Sequence, residues 1–192
     1  IHEGGVPTGD YNECPGISGP IVGIVKKLDK AVDAVISGHT HRAYNCRIDG
    51  RLVTSGDKYG TIVTEIDLEL DPATRDVTSA TANNVIVRTD SFAKAPRMTS
   101  LIAQYEALSV ALTKRVVGRI SGPIPREGNS AGESPLGQVI ADAQLAATRG
   151  AGAQVALMNP GGIRAALPQP ADGQLRYEDL FSVQPFYNNL VT

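Results

Sequence analysis

The chain has three histidines, and each stands beside glycine: His2 in Ile1-His2-Glu3-Gly4-Gly5, and His39 and His41 in Gly38-His39-Thr40-His41. Neutral imidazole nitrogens suit zinc, manganese or iron, with carboxylates supplying the charge balance. His39 and His41 sit at i and i+2, so an extended backbone would send both rings to one face, within reach of one ion or of two adjacent ones. The preceding Ala34-Val35-Ile36 run, apolar with β-branched members, predicts a buried strand whose end turns at Gly38. His2 reads as standing at a second strand end. Solvent-facing or ordinarily hydrogen-bonded histidines are the alternative for a lone His-x-His, but the shared placement of all the histidines favours a metal site. A pair of cations held this way would suit phosphate ester hydrolysis, because it can stabilise the attacking and leaving oxygens together and bring the pKa of bound water toward neutrality.

A second group of residues is Asn159-Pro160-Gly161-Gly162-Ile163-Arg164 together with Phe186. Amides in a glycine turn can approach an anion closely, arginine adds a bidentate fork, and an aromatic face can stack on a base. A plain tight turn with a surface arginine is the competing reading. The two cysteines, Cys14 and Cys46, lie one in the loop after His2 and one just after His41. A disulfide between them would tie together the segments that carry the imidazoles, as an oxidising compartment allows. Two unpaired thiols in a reducing compartment are the alternative.

These residues need elements to position them. Gly4 to Gly19 is a Gly- and Pro-rich loop without periodicity. Pro20 then opens a helix in which Ile21, Ile24, Val25 and Leu28 keep helical spacing, leading to the Asp33–Ser37 strand. This αβ unit would place His2 and His39 at the ends of neighbouring strands, where open α/β sheets bind ligands. Beyond Cys46 the pattern is β: Arg47-Ile48, an Asp49-Gly50 turn, Arg51 to Thr54, an alternating strand from Thr64 to Leu70, and Asn84 to Thr89. From Pro96 to Val117 the period becomes helical, with Met98, Leu101, Ile102, Tyr105, Leu108, Leu112 and Val116 forming a stripe that predicts core packing. Ser134-Pro135 opens another helix, carrying Leu136, Val139, Ile140 and Ala143 inward, and Gln154 to Met158 predicts a buried strand. The class is α/β (α+β).

Composition bounds the partners. A formal net charge of -2 over 192 residues, with basic pairs only at Lys26-Lys27 and Lys114-Arg115, argues against a nucleic-acid polymer or a membrane surface as target. No apolar run is long enough to span a bilayer.

Gly38-His39-Thr40-His41, with His2-Glu3-Gly4 upstream and Asn159-Pro160-Gly161-Gly162-Ile163-Arg164 downstream, resembles the bifunctional 5'-nucleotidases / 2',3'-cyclic-nucleotide phosphodiesterases, two-domain enzymes of the calcineurin-like metallophosphatase superfamily. The resemblance implies the C-terminal part of a metallophosphatase β-sandwich over 1–93, an interdomain linker helix over 94–118, and the first part of the nucleotide-binding 5'-nucleotidase C-terminal domain over 119–192. It implies His2 and His39 as ligands of one divalent metal ion and His41 as a ligand of a second. It also implies a nucleotide as substrate, held by Asn159, Gly161, Gly162 and Arg164, with Phe186 stacking on the base, and a periplasmic or extracellular location, which favours the Cys14–Cys46 bridge. The family's other metal ligands lie in Asp-x-His, Gly-Asp-x-x-Asp and Gly-Asn-His-Glu motifs, none of which occurs here. The chain is therefore expected to be an internal piece carrying half a metal site, with the catalytic groups upstream of Ile1 and no activity alone. Two readings compete: a hydrolase of another ester on the same scaffold, and a nucleotide-binding module without catalysis.

Overall fold

The computed structural model describes residues 1–191. The chain is mixed α/β and divides into two compact units, Ile1–Ala93 and a second from Lys94 onward; each is described by itself.

In the first unit, helix α1 (Pro20–Val25) precedes strands β1 (Ala34–Ile36), β2 (Ala43–Ile48), β3 (Arg51–Gly56), β4 (Ile62–Leu70) and β5 (Val77–Ile86). Strands β1, β3 and β2 form one sheet in that order, with β1 parallel to β3 and β2 antiparallel to it. Strands β4 and β5 form an antiparallel pair. The Asp49-Gly50 turn joins β2 to β3 as its sequence suggests, both residues taking positive φ (51° and 79°), as a two-residue hairpin with right-handed strand twist requires.

Central strand β3 is buried from Arg51 to Ser55 because it is covered on both faces. Val53, opposite Cys46, packs with Tyr44, Ile48, Val35 and the helix residues Ile21 and Val25 in one core. On the other face Asn45 Nδ2 donates to Ala82 O of β5 (3.4 Å), and the Arg47 guanidinium donates to Ala80 O. Only Val35 of the expected buried run is fully inside. Ile36, on the opposite face of edge strand β1, is 65% exposed.

Arg51 shows how a charge is tolerated in this core. Its side chain is buried, and its five N–H groups find five acceptors: Val32 O (2.7 Å), Val25 O (3.2 Å), Leu28 O (3.0 Å), Asp29 O (2.9 Å) and the Asp49 carboxylate (3.1 Å). Four are carbonyls from Val25, where α1 ends, to Val32, and two of them, Val25 O and Asp29 O, also accept from Leu28 N and Val32 N.

The second unit holds α2 (Pro96–Thr113), β6 (Val116–Arg119), α3 (Pro135–Thr148), β7 (Gln174–Arg176) and α4 (Tyr177–Val183). β6 pairs antiparallel with β7, and Leu136, Ile163, Leu167, Leu175 and Val183 make its core. Two sequence expectations are corrected here. The helix expected to run through Val117 stops at Thr113, because the β-branched Val116 enters the ladder opposite Arg176. Its apolar stripe buries no residue, and Leu108 is 81% exposed. The strand expected over Gln154–Met158 does not form: among the described residues no strand pairs with it, and its backbone cannot be satisfied as a strand without a neighbour. Val155 and Leu157 are exposed along it.

Candidate functional site

The histidines lie where two loops meet at one end of the first unit. His2 and His39 come together, with His39 Nδ1 3.1 Å from His2 Nε2 and the rings edge to face at 4.8 Å between centroids. His41 is placed otherwise, its ring 5.8 Å from that of Tyr59. The extended backbone that would have put His39 and His41 on one face is absent. His39 and His41 both have positive φ (69° and 53°), and Thr40 N donates to Gly38 O at 2.8 Å, closing a three-residue turn around His39. The turn is made at His39, not at Gly38, whose missing Cβ would meet nothing within 4 Å.

Left-handed backbone is costly for a side-chain-bearing residue, about 1–3 kcal/mol, and clusters at functional sites. Here Asp57 (φ 61°) and Tyr59 (φ 57°) join the two histidines. All four leave the same end of the β2–β3 ladder, whose last pair is Ala43 with Gly56.

Buried polar contacts hold this arrangement. The His2 loop lies against the His39 turn so closely that a Cβ on Gly4 would come within 2.2 Å of Gly38 O. Gly38 N donates to Glu3 O (3.2 Å) and Thr40 Oγ1 to Gly5 O (2.8 Å). Behind them Gly5 N donates to the hydroxyl of Tyr44, which is 2.6 Å from Ser37 Oγ. The Cys14–Cys46 disulfide joins the Gly-rich loop to β2, with Cα atoms 5.1 Å apart. A fan of asparagines fastens the same loop to β5, and β5 to β3. Asn12 Nδ2 donates to Asn84 O (3.0 Å), Asn84 N to Asn12 Oδ1 (2.7 Å), and buried Asn84 Nδ2 to Tyr11 O (2.7 Å) and Ser55 O (3.1 Å).

Two imidazole nitrogens bound to one zinc at about 2.0–2.1 Å in neighbouring positions lie roughly 2.9–3.4 Å apart. The observed 3.1 Å separation fits that spacing. The fit stops at two donors: among the described residues no group of three or more His, Cys, Asp or Glu side chains is placed to hold a metal ion.

In the second unit, Asn159 caps the short 3-10 turn Pro160–Gly162. Its Oδ1 accepts from Gly161 N (3.0 Å), while its carbonyl accepts from Gly162 N (2.9 Å). Both glycine amides expected to face an anion are thus used in closing the turn. Arg164 and Phe186 do meet, with Cζ 5.6 Å from the ring centroid, within cation–π range. Arg164 N donates to Val183 O (2.8 Å), fixing the turn to the end of α4. Asn159, Gly162 and Phe186 lie on the wall of an open cavity of about 1190 Å³ whose other lining includes Val139, Val155 and Leu157. Its lining is mostly apolar with a few polar groups.

The residues that sequence reasoning missed are mainly the buried polar ones. Tyr44 could have been found: it shares the period-2 face of Cys46 and Ile48, and a buried tyrosine hydroxyl needs a partner. Tyr59 and the asparagine fan carry no comparable signal.

Residues 116–192 match the family model described as "5'-nucleotidase, C-terminal domain". The chain is 30% identical over 174 residues to Endonuclease YhcR of Bacillus subtilis, covering 91% of this chain and 14% of that protein. It is 27% identical over 175 residues to the Trifunctional nucleotide phosphoesterase protein YfkN of the same organism, covering 87% and 12%. Its fold resembles the crystal structure of a 5'-nucleotidase precursor from Thermus thermophilus, with TM-score 0.56, 22% identity, and coverage of 80% of this chain and 34% of that one. The chain thus spans about a seventh of the first relative's length; the expected 5'-nucleotidase resemblance is met over residues 116–192 by the family model, and the fold is like that of a 5'-nucleotidase precursor.

Proposed function

We propose that this chain serves metal-dependent hydrolysis of nucleotide phosphate esters, as part of a 5'-nucleotidase-type enzyme. The observation that carries the reading is the His2–His39 pair, two nitrogens at ligand spacing on a strained turn fastened from behind. In this proposal His2 and His39 bind one divalent ion and His41 contributes to a second. When bound, such ions offset phosphate charge and make hydroxide available near neutral pH. Asn159, Gly161, Gly162 and Arg164 hold the nucleoside, and Phe186 stacks on its base. The contact of Arg164 with Phe186 supports the last assignment; the use of both glycine amides within their own turn restricts the role of Gly161 and Gly162 to shape. The domain roles follow: residues 1–93 carry metal ligands, 94–118 link, and 119–192 bind nucleotide. An extracytoplasmic location is supported by the disulfide. No helix among the described residues is long and apolar enough to cross a membrane.

A relative named as an endonuclease makes a polynucleotide the competing substrate. The chain's net charge of -2 and lack of a basic cluster favour the mononucleotide. The test is phosphate release from AMP with manganese by the full-length protein, against cleavage of single-stranded DNA under the same conditions. AMP hydrolysis that His39→Ala reduces at least roughly 10–100-fold, as ligand losses do, supports the proposal. DNA cleavage without AMP turnover would overturn it. The 192-residue chain alone, with two convergent nitrogen donors, is expected to release no phosphate above its His39→Ala variant.

A further inference from the structure

We infer that Tyr44 and Ser37 are positioning residues for the His2–His39 pair, acting through one directed chain of hydrogen bonds. The direction follows from counting protons. Ser37 Oγ lies 2.7 Å from Thr54 O, a carbonyl that can only accept, so the single hydroxyl proton of Ser37 points there. The 2.6 Å contact between Ser37 Oγ and Tyr44 Oη then has Tyr44 as donor. Tyr44 Oη in turn accepts from Gly5 N–H at 3.1 Å. Every proton in the sequence Gly5 N–H, Tyr44 O–H, Ser37 O–H, Thr54 O is assigned, and the chain ends on the backbone of central strand β3.

The location gives this chain its role. Gly5 is three residues after His2, and Ser37 is two before His39. Tyr44 is fully buried and Ser37 nearly so, so water does not readily replace either partner. The two loops carrying the imidazoles are therefore tied to one phenol rooted in the core, and the left-handed His39 turn is held where its Nδ1 meets His2 Nε2. Hydrogen bonds in a dry chain polarise one another, so removing the middle member weakens its neighbours as well. Tyr44→Phe keeps the ring in the core, leaves Gly5 N–H without its acceptor and takes away the donor to Ser37 Oγ.

The test uses the 192-residue chain with its disulfide intact and reads two quantities. The first, ring-to-ring proton contacts between His2 and His39 by NMR without metal, does not depend on the proposed function. The second, zinc affinity by calorimetry, rests on reading the pair as metal ligands. Tyr44→Phe and the milder Ser37→Ala should each weaken the ring contacts severalfold and lower zinc affinity by roughly 10–100-fold, the usual scale for groups that orient ligands. Ile48→Ala, which opens a core cavity at the other end of the β2–β3 ladder, opposite Arg51, should leave both readings near wild type. Unchanged ring contacts in folded Tyr44→Phe and Ser37→Ala would overturn the inference, as would an equal loss in Ile48→Ala. The ring contacts decide the positioning role whether or not the two donors of this chain hold zinc tightly enough to measure.

Discussion

The His2–His39 turn and the Asn159–Arg164 turn are both glycine-flanked loop segments, yet they are held in different ways. The first is fixed by contacts between residues far apart in sequence: Gly5 with Tyr44, Thr40 with Gly5, Asn84 with Tyr11, and Cys14 with Cys46. The second is closed within itself, with Asn159 accepting from Gly161 and Gly162 and Ile163 N donating to Pro160 O, and is tied from a distance only at its far end, where Arg126 Nη1 donates to Ile163 O and Arg164 O and Arg164 N donates to Val183 O. Local bonds let a turn form without the rest of the chain but consume the groups that would otherwise meet a ligand. Long-range bonds leave the ring nitrogens of the first turn facing one another, at the cost of dependence on the whole unit.

Three perturbations sharpen this contrast, beginning with the largest. Replacing Cys14 and Cys46 by serine removes a cross-link between residues 32 apart. By the chain-entropy estimate this costs about 3–4 kcal/mol. Denaturant unfolding followed by hydrogen exchange should place that loss in Ile1–Ala93, with the amides of α3 and α4 unaffected; equal loss in both units would break the comparison. Asn159→Ala should cost about 1 kcal/mol, the usual effect of losing a cap, and amide exchange should rise only around 159–164. A change that spreads through α3 would mean that this turn, too, is held from a distance.

The smallest effect concerns pH. The hydrogen bond from Arg176 to Asp172, followed by that from Gln174 N, lowers the Asp172 carboxyl below its ordinary value. A depressed folded-state pKa contributes stability that is present above the unfolded value and lost as pH falls through the folded one. Because Asp172 is exposed at the surface, the contribution is screened. Asp172→Asn should therefore slightly flatten the acid limb of the second unit's stability below the ordinary carboxylate range and leave the first unit's curve unchanged. An altered acid limb in the first unit would show that the two units do not titrate independently.

The sequence by itself determined what local chemistry can dictate. Asp49-Gly50 specified its hairpin because both positions need positive φ, Pro20 and Ser134-Pro135 opened helices, and Ile21 and Val25 reached the core by their spacing. It also brought out the histidines, and the resemblance carried by their motifs. Only the tertiary structure decided their geometry. Period-2 alternation assumes an extended chain, whereas packing of Gly4 against Gly38 and the bonds from Thr40 and Tyr44 force His39 into a left-handed turn, pairing it with His2 rather than His41. The same limit explains Gln154–Met158 and the stripe of α2. Apolar periodicity records what a segment is able to bury, but burial itself needs a partner surface, and a strand needs a neighbour whose N–H and C=O groups no local pattern can supply.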